Sequence, residues 1–141
     1  MIKVKNANMN NIIQWYSKST DIKKGQLLKE DTGASPVAAE HSGATLLGVA
    51  LEDQDTANSI VYIYPLQGTV LEIDYYASAT KQSLAVTNLG TQYDMNVDGT
   101  TGEMTVNLDD TSSGFLYLVG YDNDNKKGYF VVADADILLS V

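Results

Sequence analysis

The residues with the best spacing for chemistry are Asp94-Met95-Asn96-Val97-Asp98-Gly99. They match the opening of a calcium loop, in which oxygen ligands alternate and a glycine then turns the chain. Asp94, Asn96 and Asp98 are the weak calcium candidates. The twelfth position, where a bidentate glutamate is required, holds Thr105, and Glu103 stands two places early. The competing reading is a strand with Met95 and Val97 inward and Asp94 and Asn96 outward, closed by an Asp-Gly turn. That reading is preferred, so no metal is assigned. Asp122-Asn123-Asp124-Asn125 fits the loop less well, because Lys126 takes a ligand position.

Nucleophilic catalysis needs a base beside the nucleophile and a third group to orient the base. The one histidine, His41, precedes Ser42, and on an extended strand neighbouring side chains point apart. His41 therefore reads as a surface loop residue. Two carboxylates suffice for a glycosidase, but the aromatic and arginine company of a sugar site is thin, with one tryptophan and no arginine. No Gly-x-Ser-x-Gly elbow, Walker loop or dinucleotide fingerprint occurs. The expectation is a chain with no catalytic residues and no cofactor, and not an enzyme.

The elements that carry these residues are strands. In 69–75 the alternation puts Leu71, Ile73 and Tyr75 on one face and Glu72 and Asp74 on the other; Met104, Val106 and Leu108 alternate inward in the same way. The runs 60–64, 115–119 and 129–132 are apolar on both faces, which predicts cover on both sides from another subunit or from this chain. Turn signals punctuate the chain at Asp31-Thr32-Gly33, Ser42-Gly43, Gln67-Gly68, Asp98-Gly99, Thr101-Gly102, Ser112-Ser113-Gly114 and 125–128. Residues 77–84 are the best place for a short helix or long loop. The fold expected is all-β: a small antiparallel β-barrel or sandwich over residues 21–141, with at most one short helix. An extended, asparagine-rich N-terminal arm occupies residues 1–20.

The chain has 141 residues, 44% of them hydrophobic, and no cysteine. That fits one domain with a real core, without disulfides or thiolate metal sites. Residues 1–29 hold six lysines against one acid, and the remainder holds three lysines against 17 acids. The absence of arginine and the acidic body both argue against nucleic acid. No apolar run is long enough to span a bilayer, and the N-terminus lacks a signal-peptide stretch, so synthesis in a cytoplasm without membrane association is expected. The acidic excess serves solubility; the sharper reading is a basic arm that docks on an acidic neighbour, with Lys3 and Lys5 taking part.

The order Asp21-Ile22-Lys23-Lys24-Gly25-Gln26-Leu27-Leu28, Pro36-Val37-Ala38-Ala39 and 44–53 (ATLLGVALED) resembles the small head decoration, or capsid cement, proteins of tailed phages. The later pair Gly90-Thr91-Gln92-Tyr93-Asp94 and 115–121 (FLYLVGY) fits the same pattern. The resemblance covers roughly residues 21–141, in strands and turns rather than a catalytic signature. This chain departs from the family in its long lysine-bearing arm and its lack of arginine. The resemblance implies a β-barrel-like body without catalysis that binds assembled major capsid protein. It implies a virion location on the phage head surface after synthesis in the host cytoplasm. The oligomeric state is open; capsid sites of threefold or twofold local symmetry would favour a trimer or dimer of neighbouring copies on the shell.

Ile12, Ile13, Trp15 and Tyr16 are the candidate anchors for capsid contact, since Trp and Tyr dominate binding hot spots and extended arms add to sheet edges. Trp15 is equally suited to lid the protein's own core. The alternatives carried forward are another virion component, such as a head–tail connector or tail protein, and a carbohydrate-binding attachment module built on the nine tyrosines.

Overall fold

A computed structural model describes residues 1–8, 11–18, 21–31, 33–37, 45–56, 58–76 and 79–138. The described residues form eleven strands: β1 (Lys3–Val4), β2 (Ile13–Ser17), β3 (Leu27–Lys29), β4 (Ser35–Pro36), β5 (Leu46–Ala50), β6 (Ser59–Pro65), β7 (Leu71–Asp74), β8 (Gln92–Val97), β9 (Met104–Asn107), β10 (Leu116–Asp122) and β11 (Lys127–Val132). The only helical pieces among them are 3-10 turns, two of which span Val86–Asn88 and Asp134–Asp136. The all-β expectation holds. Of the 77–84 segment, residues 79–84 run as loop, tied by the Asp109 carboxylate, which accepts the Lys81 N–H at 2.8 Å and the Thr80 N–H.

Two antiparallel sheets share the chain. One has the order β1-β7-β11-β10-β8-β9 and the other β2-β6-β5-β3-β4. The first curls on itself: Tyr75 bridges Val106, and the Tyr76 N–H donates to the Val106 carbonyl at 2.7 Å, bringing edge strand β9 back to the end of β7. The second bends until its edges meet through side chains. Ser17 on β2 donates its hydroxyl to the Ala34 carbonyl beside β4 at 2.6 Å.

The larger core lies between the sheets. It takes Leu71, Ile73, Leu116, Leu118, Tyr93, Met95, Met104, Val106 and Phe130 from the first sheet, and Leu27, Leu46, Val49 and Leu66 from the second sheet and its β6 end. The alternation expected for 71–75 and 104–108 supplies these residues directly. A smaller core occupies the other face of the second sheet, formed by Ile22, Leu28, Ala34, Leu47, Ala50, Val61 and Ile63, with Ile13 and Trp15 packed against it. Strand β5 feeds both cores and is buried throughout. Gly48 is required there, because a Cβ would lie 2.1 Å from the Tyr64 carbonyl oxygen.

The described residues 1–8 and 11–18 do not stand apart as an arm, which corrects the expected division at residue 20. Lys3 and Val4 pair with Glu72 and Leu71, and β2 pairs with β6 from Ile13↔Ile63 to Ser17↔Ser59. Ile2 is 2% exposed, so this stretch completes both sheets. The asparagines that suggested a free arm are partly spent on fastening it: Asn6 donates to the Gly68 carbonyl and accepts the Val70 N–H.

Candidate interaction surface

Of the sequence-derived contact residues, Trp15 turns inward. Its indole N–H is shared between Glu30 Oε2 at 2.8 Å and the Gly33 carbonyl at 2.7 Å, on the loop between β3 and β4. Trp15 is a lid on the smaller core, and Ile13 packs beside it. Ile12 is half-buried. Lys5 reaches Glu72 at 3.5 Å and sits 5.5 Å from the centre of the Tyr129 ring, while Lys3 is exposed. Several lysines of the basic N-terminal region thus pair with this chain's own acids: Lys5 with Glu72, Lys23 with Asp21 and Lys29 with Asp31.

Tyr16 alone of the aromatic anchors faces solvent, and it has company. On β2 and β6 the residues alternate between the smaller core and the opposite face. Val61 and Ile63 go to the core; Ile60, Tyr62 and Tyr64 go to the other side, with Tyr16 paired across from Ile60 and Gln14 across from Tyr62. That opposite face is the one whose far end, at Val49 and Leu66, packs into the larger core. Tyr64 is 3% exposed, Tyr62 40% and Ile60 49%. The strip leaves the core at Tyr64 and runs into water, ending on Tyr16, which is 50% exposed. The Tyr16 hydroxyl donates to Asn58 Oδ1 at 2.8 Å and fixes the ring at the end of the strip. Sequence reasoning found Tyr16 but missed Ile60 and Tyr62 as surface residues; their place in a two-faced apolar run was the available signal.

A second exposed apolar group lies on the other sheet. Val119 is 50% exposed at a bulge in β10, and Leu89 is 44% exposed. They flank the backbone bond from Gly90 N–H to the Leu118 carbonyl. Val86, in the neighbouring 3-10 turn, is 72% exposed.

The acidic candidates are spread out rather than gathered. An extended strand separates Asp94 from Asp98 by roughly 13 Å. Asp94, expected to point outward into water, is 1% exposed: its N–H donates to the Asp110 carbonyl of the loop that covers this part of β8. The Asp98 carboxylate turns back on its own loop and accepts the N–H groups of Thr101 and Thr100 at 2.7 and 2.8 Å. Among the described residues no group of three or more acidic or histidine side chains is placed to hold a metal ion. His41 and Ser42 lie outside the described residues.

Other carboxylates fasten loops in the same way. Asp53 accepts the Lys24 N–H, Asp110 the Ser112 N–H, and Asp122 the Asn125 N–H and side chain. Hydrogen bonds to an ionised carboxylate favour that form. They hold Asp98 (through Thr101, then Thr100), Asp109 (through Lys81, then Thr80) and Asp122 (through Asn125) below the ordinary carboxyl value. A surface cleft of about 430 Å³ runs between Met1, Lys24, Leu51, Asp53 and Thr101–Met104. Several of its polar groups are engaged with one another: the Met1 amine with Glu103, the Lys24 N–H with Asp53, and Gln26 with both Lys23 and Gly102.

No protein-family model matches the chain, and no curated protein matches its sequence.

Proposed function

We propose that this chain is a structural virion protein that binds the outside of an assembled tailed-phage capsid and stabilises it by bridging capsomers. The observation that carries the reading is the bare strip of Tyr16, Ile60 and Tyr62, a sheet face that passes from the core into solvent. Tyrosine beside aliphatic side chains is the composition of binding hot spots. The resemblance of residues 21–141 to capsid cement proteins points to the same partner, the major capsid protein. Docking proceeds through side chains, since the exposed apolar atoms lie on the face of β2 and β6.

Three half-exposed side chains offer roughly 250 Å² of contact, against the roughly 800 Å² per partner of a stable complex. A single such contact is weak. A protein that touches two capsomers makes its second contact intramolecular, and modest contacts become tight holding. The Val119 and Leu89 group, on the other sheet, supplies a second surface. The carboxylates that fasten loops have a structural role, consistent with a protein that holds rather than catalyses.

The test is decoration of empty expanded heads from the phage that carries this chain, imaged by electron microscopy. The wild-type protein is expected to coat the shell and delay its heat rupture, while Ile60→Thr/Tyr62→Thr leaves it bare. Wild-type protein found only at the portal or tail would replace the shell with a connector or tail role. Equal decoration by both proteins would remove the strip from the docking surface. Exposed Tyr16 and Tyr62 on one face also suit stacking against sugar rings, and a glycan array with defined hits would favour the attachment reading.

A further inference from the structure

The sequence contains one Asp-Gly step, Asp98-Gly99, and no Asn-Gly step. A glycine amide nitrogen is the least hindered backbone nucleophile that a neighbouring carboxyl group can meet. Attack by the Gly99 nitrogen on Cγ of Asp98 forms a C–N bond. One carboxyl oxygen leaves as water, taking up the amide proton and the carboxyl proton, and a five-membered succinimide remains. Water then adds to one of its two carbonyls. Opening at the side-chain carbonyl restores aspartate. Opening at the backbone carbonyl routes the main chain through the side chain and leaves isoaspartate, an isomer of unchanged mass. The sequence of steps needs no oxidant, reductant or co-reactant beyond water.

The hairpin between β8 and β9 opposes each part of this reaction. Asp98 Oδ1 is held by the Thr100 and Thr101 N–H groups, so the carboxylate stays ionised, and its oxygen is a poor leaving group until protonated. The Asp98 N–H donates to the Glu103 carbonyl, and the Gly102 N–H donates to the Asp98 carbonyl, both at 2.9 Å. The next carbonyl, that of Gly102, is held by the Gln26 side chain at 3.0 Å. Ring closure must swing Cγ onto the Gly99 nitrogen and re-aim the Asp98 carbonyl. It therefore breaks the bonds to Thr100, Thr101 and Gly102 together.

We propose that Asp98-Gly99 is a spontaneous isomerisation site that the folded β8–β9 hairpin holds closed, so that isoaspartate at residue 98 records time spent unfolded. The change is not innocent. An extra backbone methylene at the hairpin corner is incompatible with the 98–103 and 102–98 bonds and with the register from Asp94↔Asn107 to Val97↔Met104.

The experiment incubates the full chain at mildly acid pH, folded in buffer and unfolded in concentrated urea, with circular dichroism confirming each state. Peptides are then resolved by retention time and electron-transfer fragmentation. Isoaspartate is expected at residue 98 at least roughly tenfold faster in urea, a difference of about 1.4 kcal/mol in barrier. Gly99→Ala provides the second measurement. Nothing lies within 4 Å of a Cβ at this position, so the variant folds, and its added methyl hinders the nitrogen and slows the reaction several-fold in urea. Equal rates in the folded and unfolded chains would overturn the proposal. So would isoaspartate that accumulates at other aspartates while residue 98 stays intact, or an unchanged rate in Gly99→Ala.

Discussion

The outward positions of β7 and β11 are Glu72, Asp74, Lys127 and Tyr129, and those of β2 and β6 are Gln14, Tyr16, Ile60 and Tyr62. Both sets sit on a pair of antiparallel strands with a core on the reverse side. On the first pair Lys127 reaches Asp74 at 3.0 Å and Glu72 at 3.8 Å, and Lys5, just after β1, covers Glu72 and Tyr129. Glu72 is left 9% exposed. Its carboxylate is screened by lysine stems and an aromatic ring, as long charged side chains commonly cover apolar surface. The second pair carries no charge on the strip, and Tyr16, Ile60 and Tyr62 stay 40–50% exposed. The same two-residue period yields a self-sufficient face in one place and an unfinished face in the other. An apolar strip left in water by a chain that covers the β7 and β11 face with charge marks a contact surface.

The largest effect lies under the bare strip, on the inner side of the same strand. Ile63 is fully buried in the smaller core. Ile63→Ala removes three carbons from a filled site and is expected to cost about 2–5 kcal/mol. Urea titration would measure it. A cost below about 1 kcal/mol would mean that the smaller core is loosely packed and that the strip's strand is not firmly held.

Acid separates the faces next. Asp98, Asp109 and Asp122 have carboxyls below their ordinary value of 3.8 because backbone and side-chain donors favour the ionised form. The unfolded chain therefore binds protons first as the pH falls. The stability these groups supply is intact above the ordinary value and drains as the pH drops through it and below. The strip has no group that titrates in that range. Acid is expected to loosen the loops at 98–102, 79–81 and 122–125 before it disturbs β2 and β6, as hydrogen exchange resolved by segment would show. At the alkaline end burial pushes Tyr75 up to about 12 from 10.0. Its contribution is complete below pH 10.0 and is lost as the pH rises toward about 12, so Tyr75, together with Tyr93, which burial also raises, should ionise late in an absorbance titration.

The charged face gives a smaller response. Glu72→Gln keeps the shape and removes the negative partner of Lys5 and Lys127. Both lysines are partly in water, with side chains 48% and 28% exposed. The expected loss is about 0.5–1 kcal/mol, shrinking as salt is added. A loss that ignores salt would show that Glu72 acts through packing or hydrogen bonding rather than charge.

Alternation made much of this legible in the sequence. Leu71, Ile73 and Tyr75, and Met104, Val106 and Leu108, announce both their strand and their inward face, because a strand with one buried face has no other way to place them. The Asp98-Gly99 turn was visible for a similar local reason, while the 125–128 signal fell two residues late, since the chain turns at 123–126 and β11 begins at Lys127. Cover was not visible. Alternation correctly puts Asp94 on the face away from the larger core, but the loop whose Asp110 carbonyl takes its N–H begins more than ten residues later. The N-terminal residues misled for the same reason: Lys3 and Val4 find their partners at Glu72 and Leu71, and no local pattern announces a pairing that distant. Trp15 suited an anchor and a lid equally, and Glu30 and Gly33 decided it through contacts formed only when the second sheet closes.

The smallest stability effect carries the most information. Ile60→Thr and Tyr62→Thr retain strand-favouring residues and remove apolar atoms that already touch water. Their summed cost is expected to stay within about 1 kcal/mol, twice the range of one ordinary surface change. Chemical denaturation of the double variant would measure it, beside Ile63→Ala from the same strand. A double variant that matches wild type in stability and fails on capsids would separate the two faces of β6 by role, with Val61 and Ile63 for the fold and Ile60 and Tyr62 for a partner. A loss of about 2 kcal/mol or more would mean that the strip belongs to the fold after all, packed against this chain in solution. The contrast with the charged face would then be one of chemistry alone, with no surface left over for a shell.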